Sequence, residues 1–380
     1  MSRVALVGIG STQYRPETSE KNFKELMYEA ASRAYIDAGI EPRKDLDCVI
    51  TASEDLWEGL AIFDEYVPDQ LGGVLKPVFT VGGDGLHGII HAYMLIKTGY
   101  FDLVAVEAHS KASEIETLQK IYHFAMDPLY IRPVVDNPYA LAALEMMNIM
   151  RLLDITFDML DMTIMKNHLN ALEWGSPYAR IYDYDNLESS EYVAQPLREV
   201  DIAPHVDGAT VAVLASEEKA KELTDEPIWI EGVGWATQGG RIERNLHNFP
   251  VSLNTAGNMA YDMAGIENPM AELDFAEVDD RFSFRELASL AMLRLDGGDL
   301  MEMVVNGVYT LDGDFPVNTG GGFLGNGYPL EAGGMMKLLH AVKQLRGEAG
   351  FNQLDNPEKA LVAVRREVPS NSYAVVILAR

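Results

Sequence analysis

Cysteine is nearly absent: Cys48 is the single one in 380 residues, which excludes an internal disulfide framework and a cysteine-rich zinc site. No stretch approaches the roughly 18 consecutive apolar residues of a membrane span. Met1-Ser-Arg-Val-Ala-Leu-Val-Gly8 runs directly into a strand without a signal peptide, so a soluble, cytoplasmic protein with no membrane partner is expected. Basic residues are scarce, 30 Lys and Arg against 58 Asp and Glu, for a net charge of −28 and a pI near 4.6. That balance excludes nucleic acid as the main partner, because phosphate contact needs clustered Lys and Arg; it leaves room for a local basic pocket. The last absence is local. Val81-Gly-Gly-Asp-Gly-Leu-His-Gly88 is a glycine-rich turn entering an apolar helical run that stops at Gly99, yet no Ser, Cys or Thr stands at its tip. Such a turn presents amides suited to an anion or a developing oxyanion and offers no nucleophile.

What is present points to α/β architecture. Val4 to Gly10 reads as a buried strand, with Gly8-Ile-Gly10 only a weak dinucleotide signal because no glycine opens a helix after it. Phe23 to Ala38 has helical periodicity closed by Gly39, and Asp47 to Ser53 is the next strand, in which Cys48 reads as a buried structural thiol. After the turn at residue 81 come a helix and the strand Asp102 to Ala108. From about residue 111 to 200 the chain changes character: Met, Tyr and Pro are frequent, and Asp127-Pro, Arg132-Pro and Asn137-Pro break regular structure. This is an inserted region expected to roof a site, with a helix at Met159 to Trp174. Asp207 to Ala215 is a strand and Ser216 N-caps the helix after it.

A second beginning follows. Ile228-Trp-Ile-Glu-Gly-Val-Gly234 copies Val4 to Gly10, Asn254 to Ala264 repeats the first helix up to Gly265, and Leu273 to Val278 repeats the second strand. Thr319 to Gly334 is again a glycine-rich turn, feeding the helix Met335 to Leu345, and Tyr373 to Ala379 answers Thr210 to Ala215. Two halves, 1–225 and 226–380, thus share one order of elements and imply a duplicated fold whose turns converge on one pocket.

This order, with its motifs, resembles the thiolase superfamily over nearly the whole chain, and most nearly its lipid-transfer-type and archaeal branch. The motifs are Val81 to Gly99 with Phe101-Asp102, Lys166-Asn-His-Leu-Asn-Ala171, Asp207-Gly-Ala209, Ala264-Gly-Ile266 and Ala276-Glu-Val-Asp-Asp-Arg-Phe-Ser283. Pro316-Val-Asn318, Gly327-Tyr-Pro-Leu-Glu-Ala-Gly333 and Gln344-Leu-Arg-Gly347 complete the set. The resemblance implies duplicated βαβαβαββ halves in an α-β-α-β-α arrangement with an inserted loop domain. It also implies an acyl-CoA substrate, hence coenzyme A and no metal in this chain, and a homodimer.

The departures decide the chemistry. The family's Cys-Ala-Ser-Gly tetrad aligns with Gly85-Leu-His-Gly88, so glycine occupies the nucleophile position. Tyr328 replaces the histidine of the Gly-His-Pro turn, Asp279 replaces the histidine of Glu-x-His-Asp-x-Phe, and the C-terminal Cys-x-Gly is missing near Val368-Pro-Ser-Asn371. A covalent acyl-enzyme has no route. Retro-aldol or aldol chemistry on a β-hydroxyacyl-CoA needs only an enolate stabilised in an oxyanion hole plus an acid and a base. Asp279 and Tyr328 are the expected pair, with Gly85, His87, Asp84, Gly327 and His247 expected at the oxyanion or substrate. The pattern is similar to the cysteine-less retro-aldolases of steroid side-chain degradation, although these place tyrosine where Asp279 stands. The likeness implies a small zinc-ribbon, oligonucleotide-binding-fold partner subunit. Structural readings stand beside each assignment: Asp279 as the cap of a helix beginning near Phe282, Asp280 as a holder of backbone amides, Tyr328 as packing, His87 turned away, Asp84 as a turn former, and His168 packed. Competing functions are an acetyl-CoA acyltransferase and a catalytically silent subunit. Two titratable replacements at three catalytic positions speak against silence.

Overall fold

The computed structural model describes residues 3–55, 62–135, 137–239, 251–366 and 371–380. Its strands are β1 (Val4–Ser11), β2 (Cys48–Ala52), β3 (Val78–Val81), β4 (Leu103–Ser110), β5 (Tyr192–Ala194), β6 (Leu197–Arg198), β7 (Gly208–Ser216), β8 (Ile228–Gln238), β9 (Phe275–Val278), β10 (Lys359–Arg365) and β11 (Asn371–Ala379). Nine of them form one sheet in the order β3-β2-β4-β7-β1-β8-β11-β10-β9, and β5 and β6 form a separate hairpin. β1 and β8 join the two halves antiparallel through Ala5 opposite Trp229 and Leu6 opposite Ile228.

The duplication is written in the pairing. β2 lies parallel to β3 and β4, and β4 runs antiparallel to β7, which pairs antiparallel with β1. In the second half β9 is parallel to β10, β10 antiparallel to β11, and β11 antiparallel to β8. The counterpart of β3 shrinks to a parallel bridge between Ala276 and Val317.

Alternate residues of each strand face different cores, as the two-residue period of a strand requires. Leu214, Val362 and Val376 face a central core with the helices Gly85–Lys97 and Gly333–Arg346. Val211 and Val213 face the helix Phe23–Asp37 on one outer side. Leu361 and Val375 face the helices Val251–Ala264 and Ser283–Met292 on the other. The expected α-β-α-β-α layering is therefore present.

The Gly-x-Gly pairs serve this layering. A Cβ on Gly10 would stand 2.3 Å from Ala34 N, and one on Gly234 would stand 1.9 Å from Ala256 O. Each glycine lets an outer helix lie directly on its strand, which accounts for the motif without a nucleotide. Cys48 is buried and free, its thiol pushed by burial up to about 12, as expected of a structural residue. The inserted region supplies the helices Leu118–Ala125, Pro138–Leu153 and Phe157–Glu173. Among the described residues no helix is long and apolar enough to cross a membrane.

Candidate active site

Both glycine-rich turns end at the N-terminus of a central helix, and one side chain joins them. Asp84 caps the Gly85–Lys97 helix, its Oδ1 accepting the Leu86 N–H at 2.8 Å. Its Oδ2 accepts the Gly334 N–H at 2.8 Å, at the start of the second central helix. The turn-former reading is thus met, with a second bond that no local pattern predicts. Burial pushes the Asp84 carboxyl up to about 7; the two backbone N–H bonds pull the other way, and Asp279 and Glu54 add to the rise.

Gly85 begins the helix, and the space a side chain would need there is taken. A Cβ would lie 2.3 Å from Met335 Cγ and 2.9 Å from Ala108 Cβ. Met335 is fully buried. His87 turns to β11, its Nε2 3.1 Å from Ser372 Oγ, which also bonds Thr237 at 2.9 Å. Burial lowers His87 to about 4, so the ring is neutral at physiological pH.

Tyr328 is fixed by its backbone. Its N–H donates to the Pro204 carbonyl at 2.6 Å and its carbonyl accepts the Val206 N–H at 3.2 Å. Gly327 has φ 90°, and a Cβ on it would meet Val206 at 2.4 Å, so glycine is required before the tyrosine. The Gly327 N–H is engaged with the Phe323 carbonyl at 2.7 Å. The guanidinium of Arg281 lies 4.2 Å from the Tyr328 ring centroid, and Phe323 meets the ring edge-on at 5.2 Å.

Tyr328 and Asp84 line a narrow cavity of about 10 Å³, room for one water. Its other described walls are Glu54, Tyr122, Leu330, Glu331 and Arg366. Glu54 pairs with Arg366, with Oε2 2.6 Å from Nη2, and its N–H donates to Glu331 Oε1 at 2.9 Å. Tyr122 comes from the inserted region, and its hydroxyl accepts from Arg281 Nη1 at 3.2 Å.

Asp279 lies at the end of β9 and is not among the residues lining that cavity. Its Oδ1 is 3.8 Å from Arg285 Nη1, and its Oδ2 accepts the Arg365 N–H at 3.3 Å. Glu145 binds the same two arginines, Arg365 at 2.6 Å and Arg285 at 3.3 Å. Burial would raise the Glu145 carboxyl, but the two cations hold it below the usual range. The helix Ser283–Met292 starts without a side-chain bond from its N-cap residue Phe282, and just before it Asp279 Oδ1 accepts the Arg281 N–H at 3.4 Å. Asp280 does what the structural reading expects: it accepts the N–H groups of Phe323 at 2.7 Å and Leu324 at 3.1 Å, and pairs with Lys337 at 2.8 Å. His168 is buried edge-on against Tyr182, and His247 lies outside the described residues.

Sequence reasoning missed Glu54, Tyr122, Arg281, Glu331 and Arg366. Arg281 and Glu331 sit inside motifs already singled out. The other three reach the cavity only through tertiary contacts. Among the described residues no His, Cys, Asp and Glu group is arranged to hold a metal.

Residues 238–380 match the family described as "Thiolase C-terminal domain-like". The chain is 29% identical over 379 residues to an acetyl-CoA acetyltransferase of Methanothermobacter thermautotrophicus, with 94% of each covered. It is 26% identical to the 17-hydroxy-3-oxo-4-pregnene-20-carboxyl-CoA lyase of Mycobacterium tuberculosis, covering 97% of this chain and 98% of that one. Among solved structures it is similar to an Ltp2-ChsH2(DUF35) aldolase, with TM-score 0.82, 24% identity, and 99% and 97% of the two chains covered. Human mitochondrial 3-ketoacyl-CoA thiolase in complex with CoA superposes with TM-score 0.75 at 18% identity, over 100% and 98% of the chains.

Proposed function

The chain belongs to the thiolase superfamily, and from that premise we propose that it makes or breaks a carbon–carbon bond in a β-hydroxyacyl-CoA with no covalent acyl-enzyme. One observation carries this reading: the nucleophile position is a glycine whose side-chain space is filled by Met335. Titratable side chains surround the adjoining cavity instead.

In the cleavage direction a base takes the proton of the β-hydroxyl. The Cα–Cβ bond breaks, its electron pair passing into the thioester carbonyl as an enolate, and an aldehyde or ketone departs. An acid then protonates the α-carbon to give the shortened acyl-CoA. Asp279 and Tyr328 are the proposed acid and base. Tyr328 is favoured by its place on the cavity wall beside Asp84. The proposed oxyanion contact is the Gly85 N–H at the helix start, where an amide and the helix dipole both favour negative charge. His87 lies two residues further along the helix.

Exposed Phe124, Leu129, Tyr130 and Val134 in the insertion favour a partner docking there, and the two-component aldolase that the chain resembles makes a small zinc-ribbon subunit the proposed one. The edge strand β3, which has no partner strand on its outer side among the described residues and exposes Phe79, favours a homodimer formed along it. The identity to an acetyltransferase supports a second reading, acyl transfer through another group.

The test incubates the protein, alone and with that partner, with β-hydroxyacyl-CoAs and measures aldehyde or ketone and shortened acyl-CoA. Tyr328→Phe and Asp279→Ala are each expected to lower the rate by about 10²–10⁴. Full activity in both variants refutes the site assignment. A protein mass raised by an acyl group after acetyl-CoA treatment replaces the lyase with the transferase.

A further inference from the structure

Behind the Tyr328 turn, away from the catalytic cavity, lies a second cavity of about 240 Å³. Its walls include Tyr14, Arg33, Trp174, Asn326, His340 and Lys343. Trp174 and His340 pack with ring centroids 4.7 Å apart and planes tilted at 38°, and the Lys343 ammonium stands 4.6 Å from the indole centroid. Met336, Leu339 and Pro177 add apolar surface.

Three features of these walls are incomplete. In a chain of 58 acidic residues, Lys343 has no carboxylate within 4 Å among the described residues, although burial disfavours its charge. The Trp174 Nε1–H is buried without an acceptor. His340 Nδ1 is buried beside Gly320 without a partner, on an imidazole that lines the cavity. A half-desolvated cation and an unused indole donor both lack one thing, an acceptor that carries negative charge. The volume exceeds what an inorganic ion needs, and the two tilted rings offer aromatic surface for an organic body.

We propose that this cavity binds a small organic oxyanion, a carboxylate or a phosphate ester, whose charge meets Lys343 and whose flat body lies on the Trp174–His340 pair. This goes beyond the proposed reaction and does not depend on it. The site also adjoins the catalytic turn, since Asn326 Nδ2 holds the carbonyls of Gly320 at 2.7 Å and Gly322 at 2.9 Å.

The experiment titrates benzoate, phenyl phosphate and inorganic phosphate into the full chain by calorimetry. Comparison variants are Lys343→Met, Lys343→Arg, Trp174→Phe and Arg366→Met, the last altering the catalytic cavity. One site per chain is expected for benzoate or phenyl phosphate, and which of them binds identifies the anion. Affinity should fall at least about tenfold in Lys343→Met, or about 1.4 kcal/mol. It should be largely kept in Lys343→Arg, weakened in Trp174→Phe and unchanged in Arg366→Met. Equal affinity in Lys343→Met, loss only in Arg366→Met, or no saturable binding of either organic anion overturns the proposal. Inorganic phosphate binding as tightly as phenyl phosphate overturns the role of the ring pair. Should Lys343→Met not fold, the Trp174→Phe and Arg366→Met titrations decide by the same criteria.

Discussion

Gly85→Ala is the smallest probe of the vanished nucleophile position, and its sign is diagnostic. Gly85 has helical backbone, so alanine would by propensity alone stabilise the Gly85–Lys97 helix by up to about 1 kcal/mol. The added carbon, however, falls 2.3 Å from Met335 Cγ and 2.9 Å from Ala108 Cβ. Neither contact is relieved by swinging a chain end into solvent, because Met335 and Ala108 are both fully buried. Overpacking of this kind costs about 1–3 kcal/mol, so the clash outweighs the propensity gain and the variant is expected to lose up to about 2 kcal/mol. Met335→Ala alone should cost about 2–5 kcal/mol by leaving a cavity. Combined with it, Gly85→Ala is freed of the Met335 contact and keeps only the 2.9 Å approach to Ala108 Cβ, so part of the overpacking is relieved, giving a favourable coupling of about 0.5–3 kcal/mol. Guanidinium unfolding of the four proteins measures this cycle. A Gly85→Ala protein at least as stable as wild type, or additive energies, would falsify the claim that methionine occupies the former nucleophile's space. The chemical counterpart is Gly85→Cys, whose thiol should react with iodoacetamide faster in the Met335→Ala background than alone.

Other expectations follow from buried charge. Lys337 is fully buried against Asp280 at 2.8 Å and Asn318 Oδ1 at 2.9 Å, so Lys337→Met strands a carboxylate and should cost about 3–5 kcal/mol, part of it returned by adding Asp280→Asn. Chemical denaturation checks both, and an unchanged midpoint in Lys337→Met would contradict the ion-pair assignment. Asp84 predicts a pH dependence. Its carboxyl, raised by burial to about 7, keeps its proton in the native state while an unfolded aspartate releases it near 4. The native state therefore binds more protons between about pH 4 and 7, and stability from this group falls as pH rises through that window, by on the order of 3–4 kcal/mol. The difference in unfolding free energy between wild type and Asp84→Asn isolates the effect from histidines that oppose it. A difference that stays constant from pH 4 to 8 removes Asp84 as its source.

The layering was legible because it rests on local patterns. Strand alternation, Gly39, Gly265 and Gly347 after helices, and the repeated Gly-x-Gly pairs all act within a few residues. β10 escaped notice: Ala360 to Val364 is a short run buried on both faces, and such a run has no polar side to reveal its period. The surroundings of Asp279 were illegible for another reason. Arg365 is 86 residues away, and Glu145 stands 220 residues from that arginine. The sequence marked Asp279 as a replaced catalytic residue but carried no sign that two arginines and a glutamate converge there. The glycine at the position expected for a nucleophile could be read at Gly85; that Met335 fills the space beside it could not.

The duplication explains why that loss need not leave an inert site. Two equivalent helices aim their N-termini at one junction, and the single acidic side chain placed there by the first turn, Asp84, accepts an N–H from each. Two helix ends favour a carboxylate, whereas full burial disfavours any charge. Burial prevails and carries Asp84 to about 7, so the opposing effects leave a group poised near neutral pH against the cavity that Tyr328 also lines. A Cβ built on Gly333 would lie 3.2 Å from Asp84 Oδ2 and 3.3 Å from Tyr328 Cε2, so a glycine of the second turn leaves room beside both side chains. The second turn thus contributes the phenol and the first turn the carboxyl to the walls of one cavity, so the proton chemistry proposed for this site would draw on both halves at once.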